Sequence, residues 1–323
     1  MGHRARSLLV WNHTHLHEHL QGVVDLELWT IPYYLTVMSS IKDPASDAYR
    51  LIQTVVHQEM LHAQLASNIA NAYGLRPRFT TPTYAGGAVP HINFALDEPN
   101  PTDLYHPYSA ELGPLDDTRI NTMCLIEYPE WQTQRQPDLR EDQEEYGSIG
   151  EFYDAVRDGM RELRHLVRGG INQIEHFGGF YPDLAPLTIT ADGDAGFRQA
   201  SALVDVITDQ GEGQTEAVET VPVEMQNTAD GMQESWPHYK KFEFIRQSSA
   251  RPATYTGVRD PEPGTPGHQA QQILIRDFAA FLATLTEMFS GGQQSSVAFG
   301  VQMAKLGGDV LTCWHRNAIP KFS

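Results

Sequence analysis

Two predicted helices near the N-terminus carry charges where a helix normally presents apolar side chains to its core. On the first, Leu20, Val23, Val24, Glu27, Ile31, Tyr34 and Met38 share one face. On the second, Ile52, Val55, Glu59, His62, Ala66, Ile69 and Tyr73 recur at alternating steps of three and four. A buried carboxylate without a partner costs several kcal/mol (roughly 2–7 for a polar group, more for a charge) or takes up a proton. A metal ion would compensate it. Glu59-x-x-His62 sets an oxygen and a nitrogen ligand on adjacent turns, and Glu27 on a facing helix completes half of a carboxylate-bridged dinuclear site.

The chain of 323 residues is long enough to bury a substantial core. Its balance of 23 basic against 41 acidic residues, −18 net, argues against nucleic acid or an anionic membrane surface as partner. No apolar run is long enough to cross a bilayer, and the first residues lack a basic-then-apolar export signal, so a cytoplasmic protein is expected. Cys124 and Cys313 are too few for a thiolate cluster, which leaves carboxylate and imidazole as metal ligands.

Periodicity predicts helices over about Thr14 to Ser40, with Pro32 inside, and from Asp43-Pro44, read as N-cap and first helical residue, to Tyr73 before Gly74. Residues 76–115 lose periodicity and gather Pro, Gly and aromatics, the pattern of a long ordered loop that covers or lines a site. Further helices are expected from Asp116 to Tyr128-Pro129, Ser148 to Arg168, Ala195 to Gln210 and after Trp236-Pro237. Residues 247–267 read as a linker before two C-terminal helices. The expected organisation is one domain over 1–323, with a core of about 10–246 and C-terminal helices over about 268–323.

A dinuclear centre of this kind takes about six protein ligands. Ile174-Glu175-His176 has the wrong spacing for a second Glu-x-x-His. Glu212, flanked by two glycines, and His238, held between Pro237 and an aromatic helix, are the next candidates. For the last carboxylate Glu151 is preferred over Glu127, although Ser148-x-x-Glu151 is also a capping box and Glu127 lies on an apolar stripe. The alternating His13, His15, His17 and His19 spread around a helix and are not expected to gather on a metal. Tyr84, Trp131, Tyr153 and Trp236 are candidate substrate-pocket aromatics.

Several stretches together resemble one family. Leu26-Glu27-Leu28-Trp29-Thr30-Ile31-Pro32-Tyr33-Tyr34-Leu35, His57-Gln58-Glu59-Met60-Leu61-His62, Ile149-Gly150-Glu151-Phe152-Tyr153, Gln210-Gly211-Glu212-Gly213 and His238-Tyr239-Lys240-Lys241-Phe242 look like the ferritin-like domain of iminophenylpyruvate dimer synthases of violacein- and rebeccamycin-type pathways. The resemblance spans most of residues 10–320. It implies an all-α, ferritin-like helical bundle with long inserted loops and additional C-terminal helices, a role in secondary metabolism, and Glu151, Glu212 and His238 as ligands. It does not transfer the substrate, and Asp209 stands where the family pattern has Glu. The expected function is an oxygen-dependent non-haem metalloenzyme holding two iron ions, with manganese or copper as substitutes. It would oxidise or couple a small aromatic or amino-acid-derived substrate with O2, as a monomer or homo-oligomer. The alternatives are a ferroxidase, a mono-metal protein, and a metal-free cyclase or binding protein on the same bundle.

Overall fold

The computed structural model describes residues 10–96, 100–129, 146–178, 181, 184, 186–211, 236–292 and 296–323. Among them are eight α-helices: α1 His13–Ser39, α2 Asp47–Ala72, α3 Asp117–Ile126, α4 Ile149–Glu162, α5 Gly193–Gly211, α6 His238–Gln247, α7 Pro266–Phe289 and α8 Ser296–His315. Extended pairing among the described residues is confined to isolated bridges. Among the described residues the fold is thus an all-helical bundle, as the periodicity implies.

α1 and α2 form the most extensive helix pair. They run antiparallel, since His17 at the start of α1 meets the carbonyl of Tyr73 at the end of α2 (2.8 Å). α1 starts at Asn12, whose side chain accepts the His15 N–H, and passes through Pro32 without ending. α2 starts later than the Asp43-Pro44 reading predicts. Asp43 instead caps the Ala45 N–H in a short turn, and the Ser46 hydroxyl takes over as N-cap. Gly74, at φ +83°, closes α2. α4 also stops short of Arg168, giving way to a 3-10 turn at Arg164–Leu166, after which the Arg168 N–H bonds the last carbonyl of α2.

The segment expected to be a linker is strapped to the bundle. Its backbone pairs with the α1–α2 turn (Lys42 N–H to Ala253, Tyr255 N–H to Ser40) and with the C-terminal tail (Val258 with Asn317 and Ile319). α7 and α8 then pack against the α1–α2 pair, and the indole N–H of Trp314 donates to the Thr36 carbonyl inside α1. No described helix is long and apolar enough to cross a membrane.

The histidine series meets in pairs at helical spacing. His13 and His17 touch at a tilt and His15 meets His19 edge-on, with Trp11 stacked on His15. Trp11 lies so close to Gly159 of α4 that a Cβ there would sit 2.7 Å from its ring. His19 is fully buried; it donates to the His15 carbonyl and accepts from the Tyr146 hydroxyl, so its ring is neutral. Burial drives its pKa down to about 4. The unfolded chain therefore takes up this proton first as pH falls from about 6.5. Stability should drop between those values, by at most on the order of 3 kcal/mol, and level off below. Urea midpoints measured from pH 4 to 7 should show this slope in the native protein and a flatter one in His19→Gln.

Candidate metal centre

Between α1, α2, α3 and α6 the helices bury three carboxylates and two imidazoles. Glu27, Glu59, His62, Glu127 and His238 are each at most 4% exposed. The helical repeat puts Glu59 and His62 on one face of α2. Glu27 projects from the middle of α1, Glu127 is the C-cap of α3, and His238 opens α6 directly after Pro237.

The inner atoms alternate between acid and imidazole. Nδ1 of His62 lies 3.5 Å from Glu27 Oε2 and 3.7 Å from Glu59 Oε1. Nδ1 of His238 lies 3.0 Å from the same Glu59 oxygen and 3.5 Å from Glu127 Oε2. Glu59 Oε1 is thus shared between the two rings, which stack at 5.3 Å. Glu59, His62 and His238 each offer a ligand atom within 4.8 Å of the others.

Hydroxyls and amides hold the outer atoms. Tyr153 donates to Glu27 Oε1, and Tyr34 donates to Glu127 Oε1 at 2.6 Å. The Thr30 hydroxyl is 2.5 Å from Glu59 Oε2 and 2.9 Å from the Glu27 carbonyl. The single hydroxyl proton serves one of these two oxygens at a time. Nε2 of His62 faces the amide oxygen of Gln210 at 2.9 Å, and Nε2 of His238 faces that of Gln58 at 3.0 Å. Amide oxygens only accept, so each Nε2 carries a proton and Nδ1 is the ring nitrogen left facing the carboxylates. The buried ammonium of Lys241, which can only donate, holds the Gln58 oxygen in that orientation at 3.2 Å.

The electrostatics show what this arrangement lacks. Burial pushes the Glu59 carboxyl well above the ordinary carboxylate range, against the pull of His62. Burial would lower His62, yet the bond to Glu27 and the charge of Glu59 outweigh it and raise the ring. Burial opposes ionisation of Glu127 too, but His238 and the Tyr34 hydroxyl bring it below its usual value. His238 Nδ1 makes no properly directed hydrogen bond despite the oxygen 3.0 Å away. A buried nitrogen lone pair aimed among acidic oxygens fits a cation. Ligand atoms around one ion at bond lengths near 2.1 Å stand roughly 3–3.5 Å apart, which matches these separations. The neighbouring cavity of about 20 Å³, lined by Glu27, Glu59, His62, Glu127, Tyr153 and Gly211, has room for an ion or a water but not an organic molecule.

Glu151, the preferred sixth ligand, does not line this cavity. Its N–H donates to Ser148 Oγ and its Oε2 accepts the Gly147 N–H at 2.8 Å, a capping-box arrangement whose return bond falls one residue before the N-cap. The same helix start instead contributes Tyr153. Glu127, the alternative, points into the cluster. Glu212 lies outside the described residues, as does Trp131; Gly211, just before Glu212, is at the cavity wall, where a Cβ would be 3.0 Å from Glu127. Tyr84 binds the Trp29 carbonyl and packs on Trp29 and Tyr33 on another flank of α1. Trp236 packs on Phe244 beneath Lys240. Sequence reading missed Thr30, Gln58 and Gln210. Their signal is adjacency, because Gln58 precedes Glu59 and Thr30 follows Glu27 by three residues.

With this geometry in place, comparison with known proteins supplies the class. The sequence profile of the ferritin-like family matches residues 20–247, and the chain belongs to that family. It is also similar to a ferritin-like protein from Caulobacter vibrioides solved by crystallography, with 58% identity, a TM-score of 0.86, and coverage of 97% of this chain and 99% of that one. No curated protein matches.

Because Gln58 and Gln210 set the imidazole tautomers, Gln58→Leu and Gln210→Leu should each weaken metal binding about 10- to 100-fold. Competition against a chromophoric chelator measures this.

Proposed function

We propose that the cluster is the metal centre of an oxygen-dependent, non-haem oxidase or oxygenase, holding two iron ions and acting on a small aromatic or amino-acid-derived molecule. The observation that carries this reading is the shared Glu59 oxygen between two imidazole nitrogens, with one further carboxylate beyond each. Glu27, His62, Glu59, His238 and Glu127, in that order, would hold the ions, with an imidazole and an acid on either side of Glu59. Glu212 is proposed as the sixth ligand from its position beside Gly211, and Glu127 rather than Glu151 as the fifth.

Bound iron would supply one-electron redox chemistry with O2. The chain's own residues do the rest. Three hydroxyls each fix one oxygen of a carboxylate, leaving the other to turn inward. Gln58 and Gln210 keep the rings oriented, with Nδ1 inward. Tyr153 places a hydroxyl proton at the Glu27 carboxylate, and burial holds that phenol protonated, with its pKa well above 10. The cavity's small size keeps the organic substrate outside the ligand cluster.

A second reading has its own observation, since only Glu59, His62 and His238 converge within 4.8 Å among the described residues, as a single-ion site would need. Anaerobic loading with Fe(II), followed by elemental analysis, distinguishes the two. Two irons per chain are expected, falling toward one in Glu127→Ala. Glu151→Ala should retain both while losing about 1 kcal/mol of stability with its capping box. One iron per chain, unchanged in Glu27→Ala and Glu127→Ala, selects the mononuclear site. An oxygen electrode then tests the activity: iron-loaded protein that consumes no O2 across a panel of aromatic and amino-acid substrates would refute the oxidase reading.

A further inference from the structure

On the flank of the same two helices lies a second, partly open cavity of about 300 Å³ between α1, α2 and the α7–α8 pair. Met60 follows Glu59 directly and lines this cavity, and one residue is a 100° rotation about a helix, so the cavity opens to a different side of α2 from the metal ligands. Its walls are apolar. Ile31, Leu35 and Met38 come from α1, Val56 from α2, and the rings of Phe278, Phe281 and Phe322 form an aromatic side, with Phe278 and Phe322 in edge contact at 4.9 Å.

Two observations separate this space from an ordinary packing defect. First, α8 contributes Gly300 and Gly307, one face of a helix two turns apart, where a Cβ would meet nothing within 4 Å. Neither has the positive φ or the close approach that requires glycine, and glycine weakens a helix interior relative to alanine. What they leave is room. Second, the apolar lining carries His57, whose Nδ1 is buried with no hydrogen-bond partner. An adjoining recess that shares Ile31, Met60 and Phe281 adds two further unpartnered nitrogens, Nε2 of Gln64 and Nε2 of His176. Buried polar atoms are nearly always paired, so an unpartnered imidazole nitrogen on an apolar cavity wall is a place for a ligand's polar group.

We propose that this cavity is a binding site for an uncharged, hydroxyl-bearing aromatic molecule of about bicyclic size, its ring against Phe278, Phe281 and Phe322 and its hydroxyl paired with His57. An apolar cavity of about 150 Å³ takes up benzene, and this one has twice that volume. The site is built from side chains outside the ligand cluster and does not depend on metal.

Fluorescence titration with naphthol tests it on the full-length protein. Naphthol should bind saturably at one per chain, and naphthalene, lacking the hydroxyl, about threefold to tenfold more weakly. Gly307→Leu should abolish binding while thermal unfolding shows a fold at least as stable as the native one. His57→Phe should bind both compounds equally. Absence of saturable naphthol binding, or binding that survives Gly307→Leu, overturns the proposal.

Discussion

The arrangement depends on one unfavourable act, the burial of three carboxylates around two imidazoles. In water each acid would be solvated; here each has one oxygen on a hydroxyl and the other facing a ring nitrogen. The Nδ1 atoms face inward because Gln58 and Gln210 receive the Nε2 hydrogens. Burial raises the Glu59 carboxyl and the surrounding acids raise the His62 ring, so both hold a proton more tightly than they would in water. Positive charge is demanded by the geometry itself, whether it arrives as protons or as metal ions.

That demand explains why so much of the surrounding structure is polar and exact in a place where apolar packing would be simpler. Thr30, Tyr34, Tyr153, Gln58, Gln210 and Lys241 are all fully or largely buried, and each makes a bond that sets the direction of a ligand or of a ligand's partner. Replacing such residues with apolar ones of equal volume removes orientation while leaving the core filled. Glu127 adds a further burden. As the C-cap of α3 it stands at the negative end of a helix dipole, where an acid is disfavoured.

Most of the helical frame is readable from the sequence, because apolar spacing of three and four residues is a direct imprint of helix burial. Glu27, Glu59 and His62 stand out by breaking that imprint, and His238 by following Pro237. The choice between Glu127 and Glu151 is harder, since both are acids at buried helix termini and spacing does not say which one turns inward. Ser148 holds the clue: a serine three residues before a glutamate gives that acid a backbone partner of its own, and the structure shows Glu151 using it. The strap over 247–267 is invisible to periodicity, because backbone pairing with Ser40, Lys42 and Asn317 leaves no mark on side-chain pattern. Likewise the start of α2 turns on competition between Asp43 and Ser46 for neighbouring N–H groups, which short-range preference alone leaves open.

The ligand order along the chain has a consequence for how the centre comes into being. Only Glu59 and His62 are local to each other; Glu27 arrives from the preceding helix, Glu127 from a helix reached across the long 76–115 loop, and His238 from the far side of more than a hundred further residues. A nascent or partly folded chain therefore presents a two-residue fragment of the centre, too sparse to retain an ion. Ion capture at such a site would follow docking of α3 and α6, so a loaded centre would certify a finished bundle instead of directing its assembly.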